Sequence, residues 1–198
     1  MQPAPEGISG ERPELLVPAA LAGDADALAR LFRSEHATVW RLCMGLLADR
    51  TEADDAAQDA MLHLLDQLGR WDARRAWATW RNTVVLNHCR DRLRRDAARR
   101  RSFERAAELA LPSALPSPSP APLDVAARSE LAELVTRSLR GLSAREREVF
   151  VLHDLEGGST GEVATALAIA ESTVRVLLAT ARRRLRELLA PRLTELSP

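Results

Sequence analysis

The segment of residues 112–122, PSALPSPSPAP, constrains the fold more than any other feature of the chain. Its prolines are Pro112, Pro116, Pro118, Pro120 and Pro122. Each proline removes a backbone donor and disfavours helix at the residue before it, so neither a helix nor a strand can run through this spacing. The composition favours an extended, semi-rigid linker. A chain of 198 residues then has room for a small domain on either side.

Apolar residues recur at three- and four-residue spacing on both sides of this segment, and no stretch alternates as a strand would. We therefore predict an all-α protein of two small helical domains joined by a Pro-rich linker. The predicted divisions are a flexible N-terminal tail (1–20), a first helical domain (21–98), the linker (99–127) and a second helical domain (128–198). The tail is expected to be mobile to about Pro18, because prolines and scattered acidic residues dominate it.

Three helices are predicted in the first domain. The first begins near Asp24, and the second follows a break at residues 48–50 and is capped by the stretch that starts at Thr51. A third helix begins near Trp77 and runs past Arg95. Its inward-facing residues are predicted to be Val85, Cys89 and Leu93.

The second domain has the pattern of a helix-turn-helix. Two of its helix starts, residues 143–146 (SARE) and 159–162 (STGE), fit the capping box, in which Ser and Glu side chains satisfy free helix N–H groups reciprocally. After a turn at residues 169–171, Ser172 or Thr173 can cap a last helix. That helix carries Arg175, Arg182, Arg183, Arg184 and Arg186. In a helix-turn-helix the last helix lies in the DNA major groove.

The formal net charge is zero, but the charge is unevenly distributed. Residues 1–69 hold 5 Arg and 12 acidic residues, a net charge of −7. Residues 70–105 hold 12 Arg and 4 acidic residues, a net charge of +8, and the remainder is close to neutral. An acidic front followed by a basic block indicates two partners of opposite character.

The second predicted helix carries an acidic line at positions i, i+4, i+7 and i+11. Its members are Asp55, Asp59, Leu62 and Asp66. A solvated face would explain the carboxylates, but an outward leucine among them favours a docking surface for a basic partner helix. With no His at ligand spacing and no glycine-turned calcium loop, the cluster does not favour a metal site.

The third predicted helix interleaves tryptophans with arginines. This pattern suits single-stranded or unstacked bases, because bases stack on aromatic rings while guanidinium groups pair with phosphates. The residues concerned are Trp71, Arg74, Arg75, Trp77, Trp80, Asn87, Arg90, Arg92, Arg94 and Arg95. The alternative is a solvated basic face. One or two of the tryptophans are expected to lie in the core.

No pattern favours catalysis, a cofactor or membrane insertion. The four histidines are scattered singly, and Gly157-Gly158 lacks the other residues of a phosphate-binding loop. Cys43 and Cys89 are expected to be buried free thiols. Because no apolar run is long enough to span a bilayer, we expect a soluble, cytoplasmic protein. Because no residues form a recognisable catalytic arrangement, we expect that it is not an enzyme.

Two separated segments resemble sigma factors of the sigma-70 family, in the extracytoplasmic-function (ECF) group. The first is the stretch 53–59 (ADDAAQD), similar to the group's A-x-D-x-x-Q-[ED], followed by residues similar to its W…N…D-x-L-R stretch: Trp80, Asn87, Asp91, Arg92 and Arg94. The second is the stretch 142–188, similar to the group's C-terminal helix-turn-helix. The two-part order and its spacing make the resemblance specific.

The resemblance implies a subunit that directs promoter-specific transcription initiation. Docking on the β′ clamp helices of RNA polymerase core is implied for Asp54, Asp55, Gln58, Asp59 and Leu62. Recognition and opening of the promoter −10 element is implied for the loop 69–76 and for Trp80, Asn87, Arg90, Asp91, Arg94 and Arg95. Contact with the −35 duplex is implied for Ser172, Thr173, Arg175, Leu178, Arg182 and Arg183. The β flap of the polymerase and an anti-sigma factor are further implied partners.

The chain departs from the family pattern in places. Arg81 stands where the family usually has Leu, and Leu177 and Thr180 stand where relatives often have Arg. Fewer arginines predict weaker duplex binding with a flatter salt dependence. Two other functions remain open from the sequence: a LuxR-like helix-turn-helix regulator, and a degenerate sigma paralogue that titrates core polymerase or an anti-sigma factor.

Overall fold

The computed structural model describes residues 12–108 and 126–195, which form eight α-helices and no strand. The helices are α1 (Pro13–Leu21), α2 (Ala25–Leu47), α3 (Arg50–Asp66), α4 (Trp77–Glu108), α5 (Ala126–Arg140), α6 (Ala144–Phe150), α7 (Thr160–Leu167) and α8 (Glu171–Glu195). A 3₁₀ turn at Leu68–Arg70 follows α3, and a π turn at Val151–Leu155 follows α6. The all-α prediction is confirmed. The proline-rich segment lies outside the described residues.

The predicted N-terminal tail contains a helix. Residues 13–21 form α1, with Pro13 in its first turn, where the fixed φ of proline suits a helix start. Leu16 and Val17 are buried in the core, where α1 packs against α2. The sequence prediction of a tail to residue 20 was therefore wrong for this part, because it weighed the prolines above the apolar residues between them.

Asp side chains cap the next two helices. Asp24 accepts hydrogen bonds from the N–H groups of Asp26 and Ala27, which confirms the predicted start of α2. Asp49, and not Thr51, caps α3, since its Oδ1 accepts from the N–H of Glu52 at 3.1 Å. The corrected cap places the start of α3 one residue earlier than Thr51.

Helix α4 begins at Trp77, as predicted, and continues through the first ten residues of the predicted linker. Val85 and Cys89 are buried, but Leu93 is 39% exposed, so its predicted inward position was wrong. Arg92 lies against α3 in its place, with ion pairs to three carboxylates of that helix.

Helices α5 to α8 form the second module. Both predicted capping boxes are present, at Ser143 with Glu146 and at Ser159 with Glu162. Ala168 ends α7 in the left-handed conformation, with φ 53°, and α8 begins at Glu171 after a bend of 103°. Ser172 and Thr173 therefore lie inside the first turn of α8 and not at its cap, which corrects that prediction.

The two modules are packed against each other. One hydrophobic cluster contains buried residues of both, for example Leu42 and Leu46 from α2 with Val151 and Val163 from the second module. In a second cluster, Ala48 at the end of α2 contacts apolar residues of α5 and α8. The sequence predicted two modules on a tether and gave no indication of this shared core.

Candidate nucleic-acid and protein interfaces

The acidic line of α3 points outward, as predicted. Asp55, Asp59, Leu62 and Asp66 are all exposed, and the exposed fraction of Leu62 is 65%. The opposite face of the helix is buried and is formed by Ala53, Ala56, Ala57, Ala60, Met61 and Leu64. Gln58 and Asp54, the remaining residues expected to dock on a partner, are also exposed.

Neighbouring helices hold this acidic surface in place. The indole N–H of Trp40 donates to Oδ1 of Asp54 at 2.6 Å. From α4, Arg92 pairs with Glu52 at 2.7 Å and lies within 4 Å of Asp55 and Asp59. One arginine thus borders several carboxylates, so the face keeps an excess of negative charge around Leu62.

Three tryptophans form a cluster at the start of α4. Trp77 is buried, and its ring meets Trp71 edge-on at 5.4 Å between centroids and Trp80 at 5.0 Å. The indole N–H of Trp71 donates to the carbonyl of Arg75 at 3.2 Å, which holds the loop before α4. One tryptophan in the core confirms that prediction, and Trp80 stays half-buried at the edge of the cluster.

The predicted DNA-contacting residues of α4 have different surroundings. Asn87, Asp91, Arg94 and Arg95 are exposed, and Arg94 pairs with Asp91 on its own helix, at 2.9 Å. Arg90 is instead half-buried and forms a bidentate ion pair with Glu148 of the second module, at 2.6 and 2.7 Å. The sequence predicted the exposed residues and could not predict this partner.

Arg81, the departure from the family pattern, is buried in an ion pair. Its Nη1 donates to Oε2 of Glu35 on α2 at 3.0 Å, and the guanidinium also donates to Oδ1 of Asn82. Glu35 is buried as well, so each charge compensates the other. The sequence signal for this pair was the spacing of Glu35, which lies four residues from Leu31 and from Val39, both buried.

A second polar contact between α3 and α4 involves two histidines. The rings of His63 and His88 lie 5.9 Å apart, and Nε2 of His88 is buried without a hydrogen-bond partner among the described residues. Burial, together with the neighbouring His63, lowers the pKa of His88 below its usual value. Burial therefore favours the neutral form of the His88 ring.

Helix α8 has one buried and one exposed face. Val174, Leu178, Ala181 and Leu185 are buried, and Leu178 is only 6% exposed. The assignment of Leu178 to DNA contact was therefore wrong, and its four-residue spacing from Val174 was the signal for a core position. The opposite line along the helix is exposed and consists of Ser172, Val176, Ala179 and Arg183.

Two of the predicted α8 arginines are tied to acidic residues. Arg175 pairs with Glu171 one turn earlier at 2.8 Å. Arg182 makes a bidentate pair with Asp154 at 2.6 and 2.8 Å, and this pair lowers the pKa of Asp154. Thr173 is exposed. Arg183 lies 4.0 Å from Glu187, and its side chain is 67% exposed, about as much as that of Arg175 at 65%.

The two cysteines are buried free thiols, as predicted, and their sulfur atoms lie 3.7 Å apart. The contact between the thiols and burial raise the pKa of Cys89 well above its usual value, so it is unreactive as a nucleophile. Within residues 12–108 and 126–195, no group of three or more His, Cys, Asp or Glu side chains could hold a metal ion.

No single helix in the described part of the chain is long and apolar enough to cross a membrane. One pair of helices, α7 and residues 171–190 of α8, is long and apolar enough when the two are taken together, but they are bent by 103° at the break between them.

Comparisons with known proteins agree with this two-part organisation. The family model for sigma-70 region 2 matches residues 31–100, and that for sigma-70 region 4 matches residues 132–185. ECF RNA polymerase sigma factor SigM of Mycobacterium tuberculosis is 36% identical over 176 residues, 88% of this chain and 83% of SigM. SigL of the same species is 34% identical, over 86% of this chain and 93% of SigL.

The fold also resembles that of two proteins solved in complexes with partners. CnrH, solved in complex with the cytosolic domain of CnrY, matches with a TM-score of 0.66 at 24% identity, over 91% of this chain and 99% of CnrH. The sigma factor RpoE in complex with the anti-sigma factor NepR from Bartonella quintana matches with a TM-score of 0.57 at 19% identity, over 89% of this chain and 92% of RpoE. At these identities the match supports the fold alone.

The fold and the exposed faces define a class of two-module helical proteins with a C-terminal helix-turn-helix. The chain belongs to the sigma-70 family of RNA polymerase sigma factors, in its extracytoplasmic-function group. It is a sigma factor that directs transcription initiation, and the family is one of non-enzymatic initiation factors. A LuxR-like regulator is not favoured, because both sigma regions match in order.

Proposed function

We propose that this sigma factor docks on RNA polymerase core through the acidic line of α3 and recognises promoter DNA through α4 and α8. The observation that carries the proposal is the separation of charge within the first module. Helix α3 presents exposed carboxylates around Leu62, while the neighbouring α4 presents exposed arginines beside a tryptophan cluster. Opposite charge on adjacent helices suits one protein and one nucleic-acid partner.

Core docking is assigned to Asp54, Asp55, Gln58, Asp59 and Leu62. The double variant Asp55→Arg with Gln58→Ala should abolish binding to the β′ clamp helices of core polymerase and leave the helical circular dichroism unchanged, because both side chains are exposed. A matched control is Asp26→Arg, an exposed carboxylate on α2 away from the line. Unchanged affinity of the double variant for core would refute the assignment.

Recognition and opening of the −10 element are assigned to Trp80, Asn87, Arg90, Asp91, Arg94 and Arg95. An unstacked base can stack at the edge of the tryptophan cluster, while exposed guanidinium groups hold the phosphates. Arg94→Ala with Asn87→Ala should leave core binding intact and remove the permanganate footprint of the melted bubble. A persistent footprint would show that these residues do not act in opening.

Contact with −35 DNA is assigned to the exposed face of α8, on which Ser172, Thr173, Arg175, Arg182 and Arg183 lie around Val176. Val176 is 66% exposed, and an aliphatic side chain in the major groove contacts thymine methyl groups. The probe is a −35 duplex that holoenzyme selects from random sequences. It is compared with duplexes in which one thymine at a time is replaced by deoxyuridine, which lacks the methyl group.

Removal of one thymine methyl should weaken holoenzyme binding about fourfold at one position. The variant Val176→Ser should lose this dependence and keep its affinity for the uridine duplex. Equal loss in wild type and variant would assign the methyl contact to another residue.

We also propose that an anti-sigma factor regulates the chain and that both act in the cytoplasm, where core polymerase is found. Two solved structures with the same fold are complexes, and one of them is the sigma factor RpoE with the anti-sigma factor NepR. The test is to capture proteins on the tagged chain and add each to transcription in vitro. A partner that stops transcription from this chain's promoters, but not from those of another sigma factor, would support the proposal, and no such partner would contradict it.

A further inference from the structure

One exposed line of residues runs along the outside of α4 and continues past the proposed −10 site. Alternating steps of four and three residues place side chains on the same side of a helix. Starting at Asn87, such steps define the outer line of α4, and every member of this line is exposed. Its members are Asn87, Asp91, Arg94, Ala98, Arg101 and Arg105. The first three belong to the proposed −10 site, whereas the two arginines at the far end have no assigned role.

The opposite side of α4 shows where the helix leaves the bundle. Val85 and Cys89 are buried and Asp96 is half-buried, but Phe103, which the same steps place on this side, is 72% exposed. Every side chain that the structure describes in residues 97–105 is exposed. Packing within the protein therefore does not explain why two arginines continue the outer line.

These arginines also lie outside the two matched regions of the chain. Arg101 and Arg105 follow residue 100, where the match to sigma-70 region 2 ends, and precede residue 132, where the match to region 4 begins. The sequence analysis placed both in the linker, but they are part of the helix. The far end of the outer line is thus a feature of this chain that the family match does not account for.

The two arginines are available to bind an anion. Among the described residues neither of them forms an ion pair, whereas Arg94 pairs with Asp91. Arg101 and Arg105 are four residues apart, and two like charges at this spacing destabilise a helix. The helix dipole favours Arg105, which lies in the last turn, but it does not favour Arg101. A negatively charged partner would offset the repulsion between them.

Their spacing fits the phosphates of duplex DNA. A helix rises about 1.5 Å per residue, so Arg101 lies about 10 Å and Arg105 about 16 Å beyond Arg94 along α4. Phosphates of one DNA strand are about 3.4 Å apart along the duplex axis, so these distances correspond to about three and five base pairs. The tryptophan cluster, which suits unstacked bases, lies at the start of α4. The far end of the outer line therefore suits DNA that is still paired.

We propose that Arg101 and Arg105 bind phosphates of the promoter duplex just upstream of the −10 element, in the spacer that leads to the −35 element. This inference rests on the proposed −10 function of α4, because the outer line aligns the two arginines with Asn87 and Arg94. The upstream direction follows from the chain, which continues from α4 towards the module assigned to −35. Contacts with phosphates do not depend on base sequence, so the spacer sequence should not matter.

The first test is the salt dependence of promoter binding by holoenzyme, with a duplex that holoenzyme selects from random sequences. The double variant Arg101→Ala with Arg105→Ala should lower the slope of log K against log salt by about 2, because each lost phosphate contact removes about 0.9. Alanine favours helix, so the circular dichroism should not change. The matched control is Arg33→Ala with Arg100→Ala, which removes the same charge from exposed positions off the outer line. Equal slopes for the double variant and the control would overturn the proposal.

The second test locates the phosphates. Single phosphates of the spacer are replaced by uncharged methylphosphonates, one position at a time, in the same selected duplex. Wild-type holoenzyme should bind about tenfold more weakly at two positions about two base pairs apart. The double variant Arg101→Ala with Arg105→Ala should be insensitive at those two positions and keep its response elsewhere. A wild type that responds at no spacer phosphate, or a variant that keeps the full wild-type response, would contradict the proposal.

An acidic surface of core polymerase is the other anion that these arginines could bind. In that case the double variant would lose affinity for core polymerase and keep the wild-type response to methylphosphonates, which would overturn the proposal. Failure of the proposed −10 function has a different signature. A permanganate footprint that persists in Asn87→Ala with Arg94→Ala would contradict the −10 assignment, whatever the spacer phosphates show, so the two failures are distinguishable.

Discussion

Arg90 and Arg94 lie one turn apart on α4, and the sequence assigns both to the same DNA element. Their surroundings differ. The side chain of Arg90 is 20% exposed and donates two short hydrogen bonds to Glu148, whereas that of Arg94 is 76% exposed and pairs with Asp91 of its own helix. The motif therefore assigns both residues to one proposed function, but only the packing of the second module shows which of them is exposed.

A third arginine of α4 extends the comparison to the core. Arg81→Leu, which introduces the residue usual in the family, should destabilise the protein by about 3 to 5 kcal/mol because it leaves Glu35 buried without its partner. Adding Glu35→Leu should recover most of that loss. Urea unfolding of both variants measures the effect, and a tolerated single substitution would mean that Glu35 finds another partner.

Helix α8 allows the same comparison between a buried and an exposed residue. Leu178→Ala should lower the free energy of unfolding by about 2 to 5 kcal/mol, because it leaves a cavity in the core. Val176→Ala, two residues away and exposed, should change it by less than about 0.5 kcal/mol. Thermal unfolding monitored by circular dichroism separates them. Similar losses in the free energy of unfolding for the two variants would mean that Leu178 is not a core residue.

The Arg90 contact itself is tested by removing its acidic partner. Glu148→Ala should destabilise the protein by about 2 kcal/mol, since a half-buried charge loses its hydrogen bonds. The matched substitution Asp91→Ala removes the exposed partner of Arg94 and should lower stability by less than about 1 kcal/mol. Urea midpoints of the two variants give the comparison, and equal effects would mean that burial does not distinguish the two arginines.

The smallest expected effect is a pH dependence from His88. Its pKa is lowered in the folded state by burial, so the unfolded chain binds a proton more readily below pH ~6.5. Stability from this group is present above that pH and decreases as the pH falls from 7.5 to 5.5. Groups with lowered carboxyl pKa values, such as Asp154 and Glu162, act only at lower pH. In the variant His88→Gln the urea midpoint should change less with pH over this range. A pH dependence equal to that of the wild type would mean that another group causes it.

Much of the local structure was predictable because it depends on neighbouring residues. The capping boxes at Ser143 and Ser159 and the outward acidic line of α3 follow from spacings of three and four residues. The same rule, applied to Val174, would have placed Leu178 in the core. Local patterns failed at α1, where prolines outweighed an apolar stretch, and at the cap of α3, where Asp49 and Thr51, two residues apart, are both residue types that cap helices.

The packing of the modules was not predictable from these patterns. Gly45 and Val151 are over a hundred residues apart, and nothing in either local sequence indicates the other. The pair of Arg90 with Glu148 likewise joins two helices across the proline-rich segment. The local sequence already suggests an explanation for each residue. Gly45 is a small residue inside a helix, and Arg90 is a predicted DNA contact. Only the folded chain shows that they share an interface.

The most direct test of the proposed function is transcription in vitro with the purified chain, bacterial core polymerase and genomic DNA of the source organism, followed by sequencing of the RNA 5′ ends. We expect new start sites that share paired upstream elements, and these should vanish with Asp55→Arg and Gln58→Ala. Tight core binding without new start sites would indicate a paralogue that titrates core polymerase. The absence of core binding would contradict the assignment of the acidic line.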